Sequence, residues 1–268
     1  MQIPLGVANS VSSNFAYDPL DTVHYAEQSH FDVIQIYLNN ELLGDNKRLD
    51  KIREVLDSGT FSTVYFHSEG YLNPEFTAGD YAARLFAFLD SLEESRVIIH
   101  YDEQAALEDT LQTIEEIAIH NRLIYLENYF RTAGRENAEK NLRKYQAIFT
   151  LANSNTVKLL PVLDIPRFFH QDLQLETSEA LQWCYQMFNY FGNKRIPIVL
   201  HLIDSRDPQQ DHKNFCSIGE GYIPYREILD FLKKTHPPLE GIVLEYEDKI
   251  NPLKSRESLK KMVGVEHK

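Results

Sequence analysis

The sequence is poor in the features that mark several large protein classes. It has two cysteines, Cys184 in a helical stretch and Cys216 in a loop. Two thiols give neither a disulfide framework nor a C-x-x-C zinc ribbon, and they suit a reducing, cytoplasmic setting. No apolar run approaches the roughly 18 residues of a membrane span, so no membrane association is expected. The opening Met1-Gln2-Ile3-Pro4 lacks the charged segment and apolar core of an export signal. Positive charge is scarce, with 27 Lys and Arg against 40 Asp and Glu and a formal charge of −13. Non-specific attraction to a polyanion depends on counterion release by basic side chains, and this balance disfavours it. A Gly-rich phosphate loop, a nucleotide fingerprint and a serine nucleophile elbow are all missing, so no organic cofactor is expected. No low-complexity linker or repeat divides the chain, and no partner protein is signalled.

What is present is a strict alternation. Apolar, β-branched runs at residues 5–8, 31–38, 63–67, 97–100, 123–127, 157–164, 196–202 and 241–245 read as strands. Between them, helical spacing places apolar stripes over residues 19–28, 46–56, 77–92, 103–120, 138–151, 178–191, 225–233 and 252–262. Trp183, Tyr185, Met187 and Phe188 read as packing on the sixth of these helices. Eight strand–helix pairs in about 250 residues are what one closed parallel barrel requires. The expected fold is α/β, a single (β/α)8 TIM barrel over residues 1–268. Residues 206–222 form a long connection for such a barrel and are expected to be functional.

The chemistry lies where the strands stop. Strand three ends in His67, strand four in His100, strand five in Glu127, strand six in Asp164, strand seven in His201, and Glu245 closes strand eight. In a parallel barrel these ends converge on the C-terminal face. One His or Glu at a strand end is more often a hydrogen-bonded structural group, but six at equivalent positions reverse those odds. Imidazole together with carboxylate suits a divalent metal, zinc or manganese foremost. Aromatic residues follow the ligand positions: Tyr71, Tyr101, Tyr129, Phe130, Phe168, Phe169, Tyr222 and Tyr246 are expected around the mouth, either as stacking platforms or as rim packing. Arg131, Arg167 and Arg206 lie in the same loops and suit either a phosphate or charge balance against the carboxylates.

These residues, in this order, resemble the endonuclease IV family of the xylose-isomerase-like barrels over residues 64–246. The likeness is carried by His67-Ser68-Glu69-Gly70-Tyr71-Leu72-Asn73, with one residue inserted, by Val97-Ile98-Ile99-His100 and by Leu126-Glu127-Asn128. His201-Leu202-Ile203-Asp204-Ser205, Ile218-Gly219-Glu220-Gly221 and Leu244-Glu245 continue it. The resemblance implies that His67, His100 and Glu127 hold one ion and that Glu127, Asp164, His201 and Glu245 hold a second, with Glu127 and Glu245 as catalytic carboxylates. It also implies substrate contacts from Tyr71, Asn73, Arg167, Asp204 and Arg206. The family's third ion site is not matched. Asp164-Ile165-Pro166-Arg167 stands where the family has Asp-x-x-His, with His170 the nearest imidazole, and Asp211-His212 is adjacent where the family spaces the pair. His212 is retained as a candidate ligand.

Three functions are compatible with this reading. The first is phosphodiester hydrolysis of the apurinic/apyrimidinic type, on a damaged nucleic acid or a small sugar phosphate, by paired ions. The second is sugar isomerisation or epimerisation at the four-residue set alone, with carboxylates shuttling a proton beside a carbonyl. The third is a barrel that binds a ligand without turning it over, and the number of ionisable groups in one mouth argues against it.

Overall fold

The computed structural model describes residues 3–118, 123–154 and 157–263. Its eight barrel strands are β1 (Leu5–Ala8), β2 (Val33–Leu38), β3 (Thr63–Leu72), β4 (Arg96–Tyr101), β5 (Leu123–Glu127), β6 (Leu159–Asp164), β7 (Ile198–Leu202) and β10 (Leu239–Leu244). They run in the order β1-β10-β7-β6-β5-β4-β3-β2 and close on themselves through parallel pairs. A two-rung antiparallel ribbon, β8 (Asp204–Ser205) with β9 (Phe215–Cys216), sits in the long loop after β7.

Two apolar layers explain why these segments are strands. One face of each strand packs outward on helices that include α1 (Pro19–Gln28), α3 (Asn46–Asp57), α6 (Leu107–Ala118), α7 (Arg135–Ser154), α9 (Thr177–Lys194), α10 (Tyr225–Thr235) and α11 (Asn251–Val263). The other face fills the barrel with Ala8, Val33, Tyr65, Ile98, Tyr125, Val162, Val199 and Val243, all nearly free of solvent. Side chains alternate along a strand, so the residue two places further on points into the same interior. Stepping two residues from each of these gives Ser10, Gln35, His67, His100, Glu127, Asp164, His201 and Glu245. The polar ring at the mouth is the next layer of the same barrel core.

At the opposite end the barrel is shut. Glu240 accepts hydrogen bonds from Tyr125 (2.5 Å) and Tyr65 (3.2 Å), and Arg96 approaches it at 3.8 Å. Burial and the Glu240 carboxylate push both phenols far above the ordinary tyrosine range, so they remain neutral donors.

Several elements differ from the expected pattern for local reasons. Strand β3 runs past His67 to Leu72 because a register shift lies between His67 and Tyr71, where Gly70 takes φ +113°. The helix expected over 77–92 is two: Gly79 is extended and separates α4 (Pro74–Ala78) from α5 (Asp80–Asp90). Helix α6 begins at Leu107, not at Glu103, whose carboxylate instead accepts from the amides of Arg131 and Thr132. The expected end of that helix, residues 119–120, lies outside the described residues. Short helices α2 (Asn40–Leu43) and α8 (Ile165–Phe168) were not expected.

Candidate metal centre and active site

Registry brings the ligand-type side chains level. His100 pairs with Glu127 across β4–β5, and Asp164 pairs with His201 across β6–β7. Glu245 follows β10, its amide donating to the Leu202 carbonyl. Glu127 lies at the centre. Its Oε2 is 2.8 Å from His67 Nε2, 3.5 Å from His201 Nδ1 and 3.8 Å from His100 Nε2. Glu245 Oε1 accepts from Gln35 Nε2 at 2.6 Å and is 3.2 Å from His201 Nδ1. Asp164 Oδ2 faces Arg167 Nε at 3.7 Å. The ring opens into a cavity of about 350 Å³ walled also by Tyr37, Tyr129 and Arg167.

The electrostatics follow from burying this many charges together. Burial opposes charging His201, but Glu245 and Glu127 outweigh it and push the imidazole up to about 9. Burial also raises Glu127, yet the imidazoles of His100, His201 and His67 hold it well below the usual carboxylate range. Asp164 is pushed up to about 7 by burial despite Arg167, with Glu127 and Glu245 adding to the rise. His100 is lowered to about 4, burial being the main cause.

Donor chemistry tests whether a cation fits. His67 Nδ1 is 3.0 Å from the Ser68 carbonyl, which can only accept, so Nδ1 carries the proton. The lone pair of Nε2 then faces a carboxylate oxygen, an arrangement that a second proton or a cation must relieve. His201 Nε2 is buried without a hydrogen-bond partner, as is Gln35 Oε1, while His201 Nδ1 has only the Glu245 and Glu127 carboxylates beside it. Buried polar atoms are seldom left so. Among the described residues, His67, His100 and Glu127 offer ligand atoms within 4.8 Å of one another. The mouth therefore has the composition and the unmet valences of a divalent-cation site.

No protein-family model and no curated protein matches the chain by sequence. Solved structures match it by shape. A zinc-bound IolI protein superposes with TM-score 0.64 at 15% identity, over 98% of each chain. A xylose isomerase domain protein from Planctomyces limnophilus gives 0.63 at 13%, over 98% of each. An AP endonuclease, family 2, from Brucella melitensis gives 0.60 at 11%, over 97% of this chain and 99% of that one. The fold is that of the xylose-isomerase-like barrels.

Within this barrel, six of the seven residues expected as ligands meet at the mouth. His212 does not join them. It is an exposed residue of a short turn, with its imidazole 3.6 Å from Asp211. His170 likewise faces Asp172, at 3.3 Å. Of the expected substrate contacts, Arg167 lies in the cavity with its guanidinium 4.1 Å from the Tyr129 ring centre. Tyr71 stands beside it, edge-on to Tyr129 and accepting from Arg131 at 3.0 Å. Asn73 is spent elsewhere, capping α4 through the Phe76 amide and donating to Asp102. Arg206 is exposed, on the ribbon side of the loop. Asp204 is fully buried and accepts from the amides of Gly219 (2.8 Å), Gly221 (2.9 Å), Ser205 (2.9 Å) and Ile223 (3.4 Å). The Gly-Glu-Gly segment is thus a cradle for Asp204, and a Cβ on Gly221 would lie 2.1 Å from its Oδ1.

Most of the aromatics expected at the rim face the other way. Tyr101, Phe130, Phe168 and Tyr246 are buried, while Tyr129 borders the mouth cavity and lines, with Tyr71 and an edge of Tyr101, the cavity next to it. Two that do border the mouth were missed, Tyr17 and Tyr37. The signal for Tyr37 was the same two-residue step, Val33 to Gln35 to Tyr37. Gln35, which anchors Glu245, was missed because an amide is not a ligand type.

Proposed function

We propose that this protein is a divalent-metal-dependent enzyme that hydrolyses phosphoester bonds, in the manner of the endonuclease IV-like members of its fold class. The observation that carries this reading is the group His67, His100 and Glu127, whose ligand atoms lie within 4.8 Å of one another, beside Asp164, His201 and Glu245 on the neighbouring strand ends. The imidazole pair lies outside the set Glu127, Asp164, His201 and Glu245, so a site formed by that set alone leaves it without a ligand role. His67, His100 and Glu127 would hold one cation, and the other set a second, with zinc or manganese the ions such donors prefer. Bound there, such ions supply Lewis acidity and counter-charge for phosphoryl transfer to water.

The chain's own residues do the rest. Arg167, held over Tyr129, presents a guanidinium to an anionic substrate in the cavity. Glu245 is partly open to that cavity and oriented by Gln35, which places a carboxylate where a proton is to be taken or returned. The charge of −13 favours a small phosphorylated substrate or a short damaged segment over a long polyanion.

A second reading, sugar isomerisation or epimerisation, is favoured by a separate observation: His201 lies between Glu127 and Glu245, so two carboxylates flank one position without help from the His pair. One experiment separates the two. Replacing His67 and His100 together by Ala should remove about one equivalent of bound metal and abolish phosphodiester hydrolysis, with the other set still loaded. Unchanged metal content, with turnover of a ketose and of no phosphoester, would give the site to the isomerase reading.

A further inference from the structure

Beside the mouth lies a second cavity of about 250 Å³, bounded by Tyr17, Tyr37, Pro19, Leu42, Arg48 and Asn9. Tyr17, Tyr37 and Asn9 also border the mouth cavity, so the two spaces lie side by side and share one wall. That wall is built under constraint. Ala16 and Tyr17 both adopt left-handed backbone, φ 53° and 57°, which non-glycine residues seldom take singly and rarely in succession.

The surroundings hold them there. The Tyr17 amide donates to the Ser12 carbonyl at 3.0 Å and the Asp18 amide to Phe15 at 3.1 Å. Asn9, almost fully buried, donates to the Tyr17 carbonyl and accepts from the Tyr37 amide, both at 2.9 Å. One side chain therefore ties the tip of the loop after β1 to the end of β2 and sets both tyrosines. Tyr17 remains 47% exposed and Tyr37 36% exposed, so neither ring is consumed by packing. A strained backbone that presents half-open rings at the edge of a reaction cavity is built to meet a ligand.

From this arrangement we propose that the substrate has two parts, and that a planar ring carried beyond the reacting bond occupies the side cavity against Tyr17 and Tyr37. Two phenol faces with Pro19 and Leu42 behind them match a flat, largely apolar body. Arg48, at the outer edge and only 3.9 Å from Asp45 by a single contact, leaves a guanidinium for a polar substituent on that ring. Asn9, whose side chain bonds the backbone of both tyrosines, is the positioning residue. The inference rests on the hydrolase reading only in taking the barrel mouth as the reacting end.

The test uses the full chain loaded with zinc and a ring without phosphate, 4-nitrobenzyl alcohol, titrated by ligand-observed NMR. Wild type should bind it, Tyr17→Ala should bind about tenfold more weakly, as a lost stacking contact requires, and Tyr17→Phe and His201→Ala should bind as wild type does. In parallel, the kcat/KM ratio of bis(4-nitrophenyl) phosphate to methyl 4-nitrophenyl phosphate should exceed one and fall toward one in Tyr17→Ala, through KM. Ring binding without hydrolysis of either diester would sink the hydrolase reading and leave the side cavity standing. Equal binding by wild type and Tyr17→Ala, loss of binding in His201→Ala alone, or no binding by wild type would overturn the inference.

Discussion

Removing the Asp204 carboxylate would leave four backbone donors, the amides of Ser205, Gly219, Gly221 and Ile223, without their acceptor. Hydrogen bonds to an ionised group contribute more than neutral ones, and unsatisfied buried donors carry the full desolvation cost. Asp204→Ala should therefore lose on the order of 3 kcal/mol in a urea titration, and Gly221→Ala should be comparably damaging because its Cβ has only Asp204 and Ser205 to move into. If either variant unfolds with the wild-type midpoint, the loop is held by something else. At this scale the sequence was informative about residues with one common use. His67, His100, Glu127, Asp164, His201 and Glu245 announce themselves by type and position. Asp204 did not, because a carboxylate followed by Ser reads equally as a ligand and as a loop anchor. Only the fold shows that three of its four donors arrive from 15 to 19 positions downstream. Asn73 was opaque for the same reason, since an Asn before Pro74 is also a helix cap.

Among the elements, the joint between β1 and β10 is made by the shortest strand of the barrel and draws support from side chains. Ser13 donates to the Glu247 carbonyl, Tyr25 to the Lys249 carbonyl, and Lys249 pairs with Asp21 of α1 at 2.5 Å. Burial alone would raise Asp21, but its bonds from Lys249 and Ser12 hold it below the ordinary carboxylate range. A depressed folded value contributes stability above the unfolded pKa and loses it as pH falls through the folded one. Wild type should thus exceed Asp21→Asn in stability at neutral pH by up to about 1 kcal/mol, the range for a partly exposed pair, and the two should converge in acid. Parallel melting curves from pH 7 to pH 3 check this, and a gap that persists in acid would remove the pair as its cause. Strand positions were legible because apolar runs bounded by turns fix them. The extension of β3 and the break at Gly79 were not, because the first depends on the left-handed torsion of Gly70 and the second on one extended residue within an otherwise continuous apolar stripe.

For the molecule as a whole, the mouth gathers three carboxylates and three imidazoles, a set whose mutual repulsion a bound cation would relieve, so ion binding is expected to be linked to folding. A chelator in excess should lower the melting temperature. The loss should be about 4 kcal/mol when the ion had been present at a thousandfold over its Kd. His201→Ala and Glu245→Gln should each bind less metal and respond less to the chelator. Melting that ignores the chelator in all three proteins would argue against a resident ion. The other end of the barrel sets a different limit. Glu240, Tyr65, Tyr125 and Arg96 fill it, and the apolar layer above them leaves no through-passage. Whatever enters the mouth must leave by the door it entered. A departing ligand and an arriving one then compete for a single threshold, and the pace of exchange in a crowded pool is set by how quickly that threshold clears.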